Sequence, residues 1–177
     1  MPWLGLWHRC DSNAVSGGRG SVGGAMHGSE ARYVPFIAAP PERIWAALTD
    51  GATTRLWSFG RAVRSDFAAV SPVEHALPDG RIEASGRIIE VDPPRLLKVS
   101  LTAARAGASP FVQTYDIGEF GGMSRLVITE DHQGPNAAAH VAPAMRAWPI
   151  LASALKSLLE TGSVPEIDVL RLAEDED

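Results

Sequence analysis

The chain reads as an α+β protein in which an antiparallel sheet packs against one long helix near its end. Three observations lead there. Val141, Met145, Trp148, Leu151, Leu155, Leu158 and Leu159 recur at the spacing of one helical face, with Arg146, Ser153, Ser157 and Glu160 on the other. Between residues 59 and 132 the pattern changes to short runs rich in Val, Ile and Leu, separated by turn residues. Those turns are too short for the crossover that a parallel pair needs, so successive strands are antiparallel neighbours.

Residues 1–30 contain Trp3, Trp7, Arg9 and Cys10, then a Gly/Ser-rich run without periodicity. Such a segment buries too little to offset its ordering entropy and reads as a flexible extension. No apolar run of about 7 to 15 residues follows a basic start, so a secretory leader is not expected. Met26, just ahead of the first patterned segment, is the expected translation start. The folded unit is expected over 31–162, with an acidic tail over 163–177.

The first strand is expected over 31–38, at a sheet edge because Pro35 cannot donate to a ladder. Pro40-Pro41-Glu42 opens a helix whose inner face is Ile44, Trp45 and Leu48, since Pro suits a first turn and Glu its dipole. Asp50-Gly51 ends it, and a shorter helix follows over 52–57. Six further strands are expected over 61–67, 72–77, 81–91, 95–103, 111–117 and 125–132. Pro78-Asp79-Gly80, Asp92-Pro93-Pro94 and Gly121-Gly122 supply turns. The sheet should therefore have six to seven strands. The last helix, 141–160, stops at Thr161-Gly162 with Pro165 beyond. Pro149 has no amide for the carbonyl of Met145, so a kink or a restart is expected there.

At 177 residues, 45% of them hydrophobic, the chain can bury a proper core. No run approaches about 18 uninterrupted apolar residues, so no membrane span is expected. A net charge of −5 supplies no basic stripe for nucleic acid. Cys10 is the only cysteine, which excludes an intrachain disulfide and a Cys-based zinc site and suits a reducing cytoplasm.

Five segments in order carry a resemblance: A-A-P-P-E-R-I-W-A-A-L-T-D (38–50), L-P-D-G-R (77–81), G-R-I-I-E-V-D-P-P-R-L-L (86–97), S-R-L-V-I-T (124–129) and W-P-I-L-A-S-A-L-K-S-L-L-E-T-G (148–162). Together they resemble the activator of heat-shock-protein-90 ATPase homologue family, within the START and birch-pollen-allergen-like (SRPBCC) superfamily. The resemblance implies a helix-grip fold, with a curved antiparallel sheet around the C-terminal helix and a cavity between them for an apolar or amphipathic ligand. It implies no reaction. The resemblance leaves a homodimer and a chaperone partner open, and many similar proteins are stand-alone bacterial chains without an assigned substrate.

A slot beneath such a helix has large side chains for walls and few polar groups, the usual make-up of a small-molecule site. Trp57, Phe59 and Trp148 fall where the small helices meet the sheet and where the long helix is interrupted; core filling is the ordinary role of aromatics, and ligand contact the alternative. Met145 shares the expected inner face. Phe111, Gln113, Tyr115 and Ile117 form the more apolar parity of their strand, so Gln113 and Tyr115 should point inward and need partners. His75 and His132 read as surface histidines near strand ends. Of Glu83 and Glu90, one is expected inward, where a carboxylate would have a perturbed pKa and be a candidate base.

Catalytic signatures are missing. No G-x-S-x-G marks a nucleophile elbow, the five histidines lack the i, i+4 pairing of a helical zinc site, and the Gly-rich 17–24 run has no following Lys-Ser/Thr. No catalytic residue, metal or cofactor is assigned. The leading expectation is a binding protein for a small apolar ligand through Trp57, Phe59, Gln113, Tyr115, Met145 and Trp148. A cavity-based cyclase, dehydratase or hydrolase with an inward Glu or His as proton shuttle is the second reading. A chaperone-associated protein-binding module is the third. A wholly apolar cavity would favour the binder, and buried paired polar groups the enzyme.

Overall fold

The computed structural model describes residues 29–134 and 137–166. The readings of the N-terminal extension, Met26 and Cys10, and most of the acidic tail, lie outside the described residues. The elements run β1 (Ser29–Tyr33), β2 (Phe36–Ile37), α1 (Pro41–Thr49), α2 (Gly51–Trp57), β3 (Ala62–Arg64), β4 (Pro72–Ala76), β5 (Ile82–Asp92), β6 (Leu96–Ala103), β7 (Phe111–Phe120), β8 (Met123–His132) and α3 (Ala137–Thr161). One antiparallel sheet takes the order β1-β8-β7-β6-β5-β4-β3, with β2 also on β8.

Eight strands stand where six to seven were expected, because the first is two. Pro35 interrupts the run, and its carbonyl accepts from Leu126 N at 3.0 Å while β1 and β2 pair with β8 on either side of it. Both lie at the sheet edge, as the proline requires. That edge is covered by α3: Lys156 Nζ donates to Phe36 O and Glu160 Oε1 accepts from Ala38 N at 2.7 Å. Backbone groups at an edge strand are thereby kept from pairing with another chain.

The two small helices are separated by Asp50, whose carboxylate caps α2 by accepting from Thr53 N at 2.7 Å. Ile44 and Leu48 are buried as expected, with Ala47 beside them; Trp45 is only half-buried. Gly121 and Gly122 turn β7 into β8 with φ of 54° and 84°, the left-handed pair that a two-residue hairpin demands. At Gly86 the requirement is space. A Cβ there would lie 1.7 Å from Ser100 O on the neighbouring strand, so only glycine permits β5 and β6 to approach so closely.

Helix α3 runs unbroken through Pro143 and Pro149, so the expected restart at Pro149 does not occur. The carbonyl that Pro149 cannot bond belongs to Met145, on the exposed side of the helix. Met145 itself is 40% exposed, which corrects its expected inward placement. The inner face is set by Ala144, Ala147, Trp148, Leu151, Ala152, Ala154, Leu155 and Leu159, a narrower stripe in which alanines bring the helix onto the sheet. Val141 and Leu158 sit at its margins. Gly162 N closes the end on Leu158 O at 2.9 Å. The helix lies mainly over β1 and β8, whereas α2 lies over β3 at the opposite side of the sheet.

Candidate functional site

Register places the inward residues of the strands in rows across the concave face. Val99 of β6 lies opposite Gln113 of β7, Gln113 opposite Glu130 of β8, and Glu130 opposite Ala31 of β1. One row on, Leu97, Tyr115, Ile128 and Tyr33 are aligned in the same way. Gln113 and Tyr115 therefore point inward, at 5% and 7% exposure, as strand parity indicates.

Among the described residues, Glu130 is the buried carboxylate of this face. Its Oε1 accepts from Gln113 Nε2 at 3.0 Å and from Trp148 Nε1 at 2.9 Å, while His132 Nε2 lies 3.2 Å from Oε2. Trp148 meets Tyr115 edge-on with ring centroids 6.0 Å apart. His132 is sandwiched between Phe111 and His140, at 5.2 and 5.4 Å. Burial lowers the pKa of His140, with His132 and Arg105 acting in the same direction. This network anchors α3 to the sheet, and Trp148 belongs to it.

A cleft of about 40 Å³ opens on the other side of Gln113. Its floor is Val73, His75, Leu97, Val99, Gln113 and Tyr115, and its roof is Thr54, Trp57, Ser58, Arg61, Val63 and Phe67 from α2, β3 and the adjoining turns. No residue of α3 lines it, so this cleft is displaced from the slot expected between the long helix and the sheet. Trp57 is held in the roof by its indole N–H, which donates to Ala47 O at 2.9 Å. Phe59, with φ of 52°, does not line the cleft but packs half-buried on the core with the Arg61 guanidinium 5.8 Å from its ring. Arg61 pairs with Glu83 at 3.2 Å. Burial, and next the charge of Arg61, lower His75 to a pKa of about 4, so its imidazole is neutral at pH 7. Burial raises the Tyr115 pKa, the Glu130 charge adding to it, and keeps the hydroxyl protonated.

Three placements correct the sequence reading. His75 lines the cleft and His132 is buried at 6% exposure, because each shares the inward parity of its strand. Neither Glu83 nor Glu90 is buried: a bulge between Ile88 and Glu90 resets the parity of β5 and turns Glu90 to solvent. The inward carboxylate is Glu130, which sequence reasoning missed although it alternates with Leu126, Ile128 and His132. Arg61 was missed as well, and no spacing in the sequence marks it. Among the described residues no group of three His, Cys, Asp or Glu side chains could hold a metal ion, and no helix is long and apolar enough to cross a membrane.

The fold has many solved counterparts. Protein MLL2253 from Mesorhizobium loti is similar at 18% identity and TM-score 0.66, covering 77% of this chain and all of that one. CalU16 from Micromonospora echinospora is similar at 17% identity and TM-score 0.61, over 86% of this chain and 93% of its own. The Aha1 dimer from Colwellia psychrerythraea shares 15% identity at TM-score 0.62, over 76% and 98%. At such identities the likeness concerns the fold alone. No curated protein matches the sequence. The family profile described as Activator of Hsp90 ATPase homolog 1-like protein matches residues 38–160, and with this continuous match over more than half its length the chain belongs to that family.

Proposed function

We propose that this protein binds a small, largely apolar molecule with one polar end, in the cleft roofed by α2 and the 58–67 segment. The supporting observation is the composition of that cleft: apolar walls from Trp57, Phe67, Val73, Leu97 and Val99 surround a few convergent polar groups, Gln113, Tyr115 and His75. The volume of about 40 Å³ is well below the several hundred Å³ of a drug-sized site, so this reading requires the roof to move outward before a ring-sized ligand enters. Of the residues assigned to ligand contact from sequence, Trp57, Gln113 and Tyr115 serve this cleft directly; Phe59 and Trp148 support its surroundings, and Met145 has no part in it.

The cleft is not wholly apolar, and buried paired polar groups beside it are the feature expected of the enzymatic alternative; the state of those groups argues against that reading. A proton shuttle works best with a pKa near the working pH, and His75 at about 4 is far below it. Glu130 is already engaged by Gln113, Trp148 and His132. The same reading assigns no nucleic-acid partner to a chain of net charge −5 and places a chain with a single cysteine in the cytoplasm.

The test is an amide and side-chain NMR titration with indole. Shifts should concentrate at the Trp57 indole, His75, Gln113 and Tyr115, and should vanish in Val99→Phe, which fills the floor. Shifts scattered over the surface, or unchanged in the filled variant, would contradict the reading.

A further inference from the structure

Glu130 fixes which way round the Gln113 amide lies. Its Oε1 already accepts from Trp148 Nε1, an indole nitrogen that only donates, so the Gln113 atom 3.0 Å from that oxygen is the amide nitrogen. The amide oxygen is thereby turned away from the network. It is buried and has no hydrogen-bond partner. Gln113 lines the cleft while being only 5% exposed, so this oxygen is an acceptor that the fold holds in place and leaves unsatisfied. A buried unpaired acceptor is costly, and few persist in folded proteins without a reason.

We propose that the cleft selects an uncharged molecule that presents an O–H or N–H donor to Gln113 Oε1 at its buried end, an inference that rests on the cleft reading above. The remaining polar groups point the same way. Arg61 is the cationic group of the wall, but its guanidinium is already paired with Glu83 at 3.2 Å. His75 is neutral and the Tyr115 hydroxyl protonated, so neither brings a charge to hold an anion. A carboxylate would set its oxygens against the Gln113 oxygen and lose its hydration besides. An ammonium ion would satisfy Gln113 but would lose its hydration among apolar walls with no carboxylate in the lining to pair it. An ether of equal size would leave the oxygen unpaired. A neutral hydroxyl or N–H satisfies it without either charge penalty.

Titration of the full chain at pH 7 with phenol, anisole and benzoate tests this, read by NMR shifts and by the ¹³Cδ resonance of Gln113. Phenol should bind about 10-fold or more tighter than anisole, the scale set by leaving a buried acceptor unpaired, and benzoate should bind no better than anisole. Only phenol should move the Gln113 ¹³Cδ. Gln113→Met should erase the preference, and Tyr115→Phe, which keeps the acceptor, should retain it. Should Gln113→Met fail to fold, the ¹³Cδ response in the unaltered protein decides. Equal binding of phenol and anisole overturns the donor inference and leaves the cleft reading standing; tightest binding by benzoate overturns it in favour of recognition by Arg61. Absence of cleft shifts with all three compounds removes the cleft reading, and this inference with it.

Discussion

Glu130 gathers Gln113, Trp148 and His132 around one buried carboxylate, and the cost of disturbing it follows from what would be left unpaired. Trp148→Phe keeps most of the packing and removes the indole donor. It should destabilise the protein by about 1–3 kcal/mol, measured by chemical denaturation, the range for stranding a buried polar group. His75 gives a second prediction at this scale. Its pKa in the folded protein, about 4, is below the ordinary value of 6.5, so the unfolded chain binds the extra proton between those values. The stability this group contributes is fully present above about pH 6.5 and is lost as pH falls toward 4, a loss on the order of 3 kcal/mol. His75→Gln should flatten the melting temperature across that window. An unchanged slope would place the imidazole in contact with solvent.

Individual residues were legible from sequence where strand parity governed them and illegible where a local irregularity did. Gln113 and Tyr115 lie in an uninterrupted strand and point where alternation sends them. Glu90 lies past a bulge that no residue pattern announces. His132 and Glu130 follow the same alternation as Leu126 and Ile128; His132 was read as a surface residue because polar residues near a strand end are usually solvated, and Glu130 was passed over.

Elements depend on a few backbone positions. Gly86→Ala would drive a Cβ into Ser100 O, a backbone atom that cannot step aside. The variant should lose at least the roughly 1–3 kcal/mol typical of overpacking, or fail to fold, as circular dichroism would show. Val70 presents the opposite case. It is 70% exposed and holds φ of 58°, a conformation unfavourable to a β-branched residue, in the turn that leads from the roof into β4. Val70→Gly removes roughly 1–2 kcal/mol of strain with little packing to lose, against a backbone-entropy cost of roughly 0.5–1 kcal/mol for glycine, so stability should rise by less than about 1 kcal/mol. A drop of more than about 1 kcal/mol would mean that Val70 has packing not apparent from its exposure. The prolines teach a related lesson: Pro35 split a strand as its missing donor requires, while Pro149 did not stop α3, where the surrounding face of Trp148, Leu151, Ala152 and Leu155 is buried against the sheet. Tertiary burial outweighed the local cost of about 3 kcal/mol.

For the whole molecule, helical and strand periodicity, with turn spacing, was enough to reach an antiparallel sheet with a long terminal helix. The position of the cleft was not accessible in that way. It depends on which half of the concave face α3 occupies, and α3 was drawn to β1 and β8 by the Trp148 to Glu130 bond and by small residues along its inner face. The other half is left to α2 and β3, whose short elements roof it incompletely. The crystal structure of the protein soaked with indole tests that division most directly. The account predicts a ring bound among Trp57, Val99, Gln113 and Tyr115, with the roof segment 58–67 displaced outward. A ring seated between α3 and the sheet beside Trp148, or a cleft still empty at saturating indole, would contradict it.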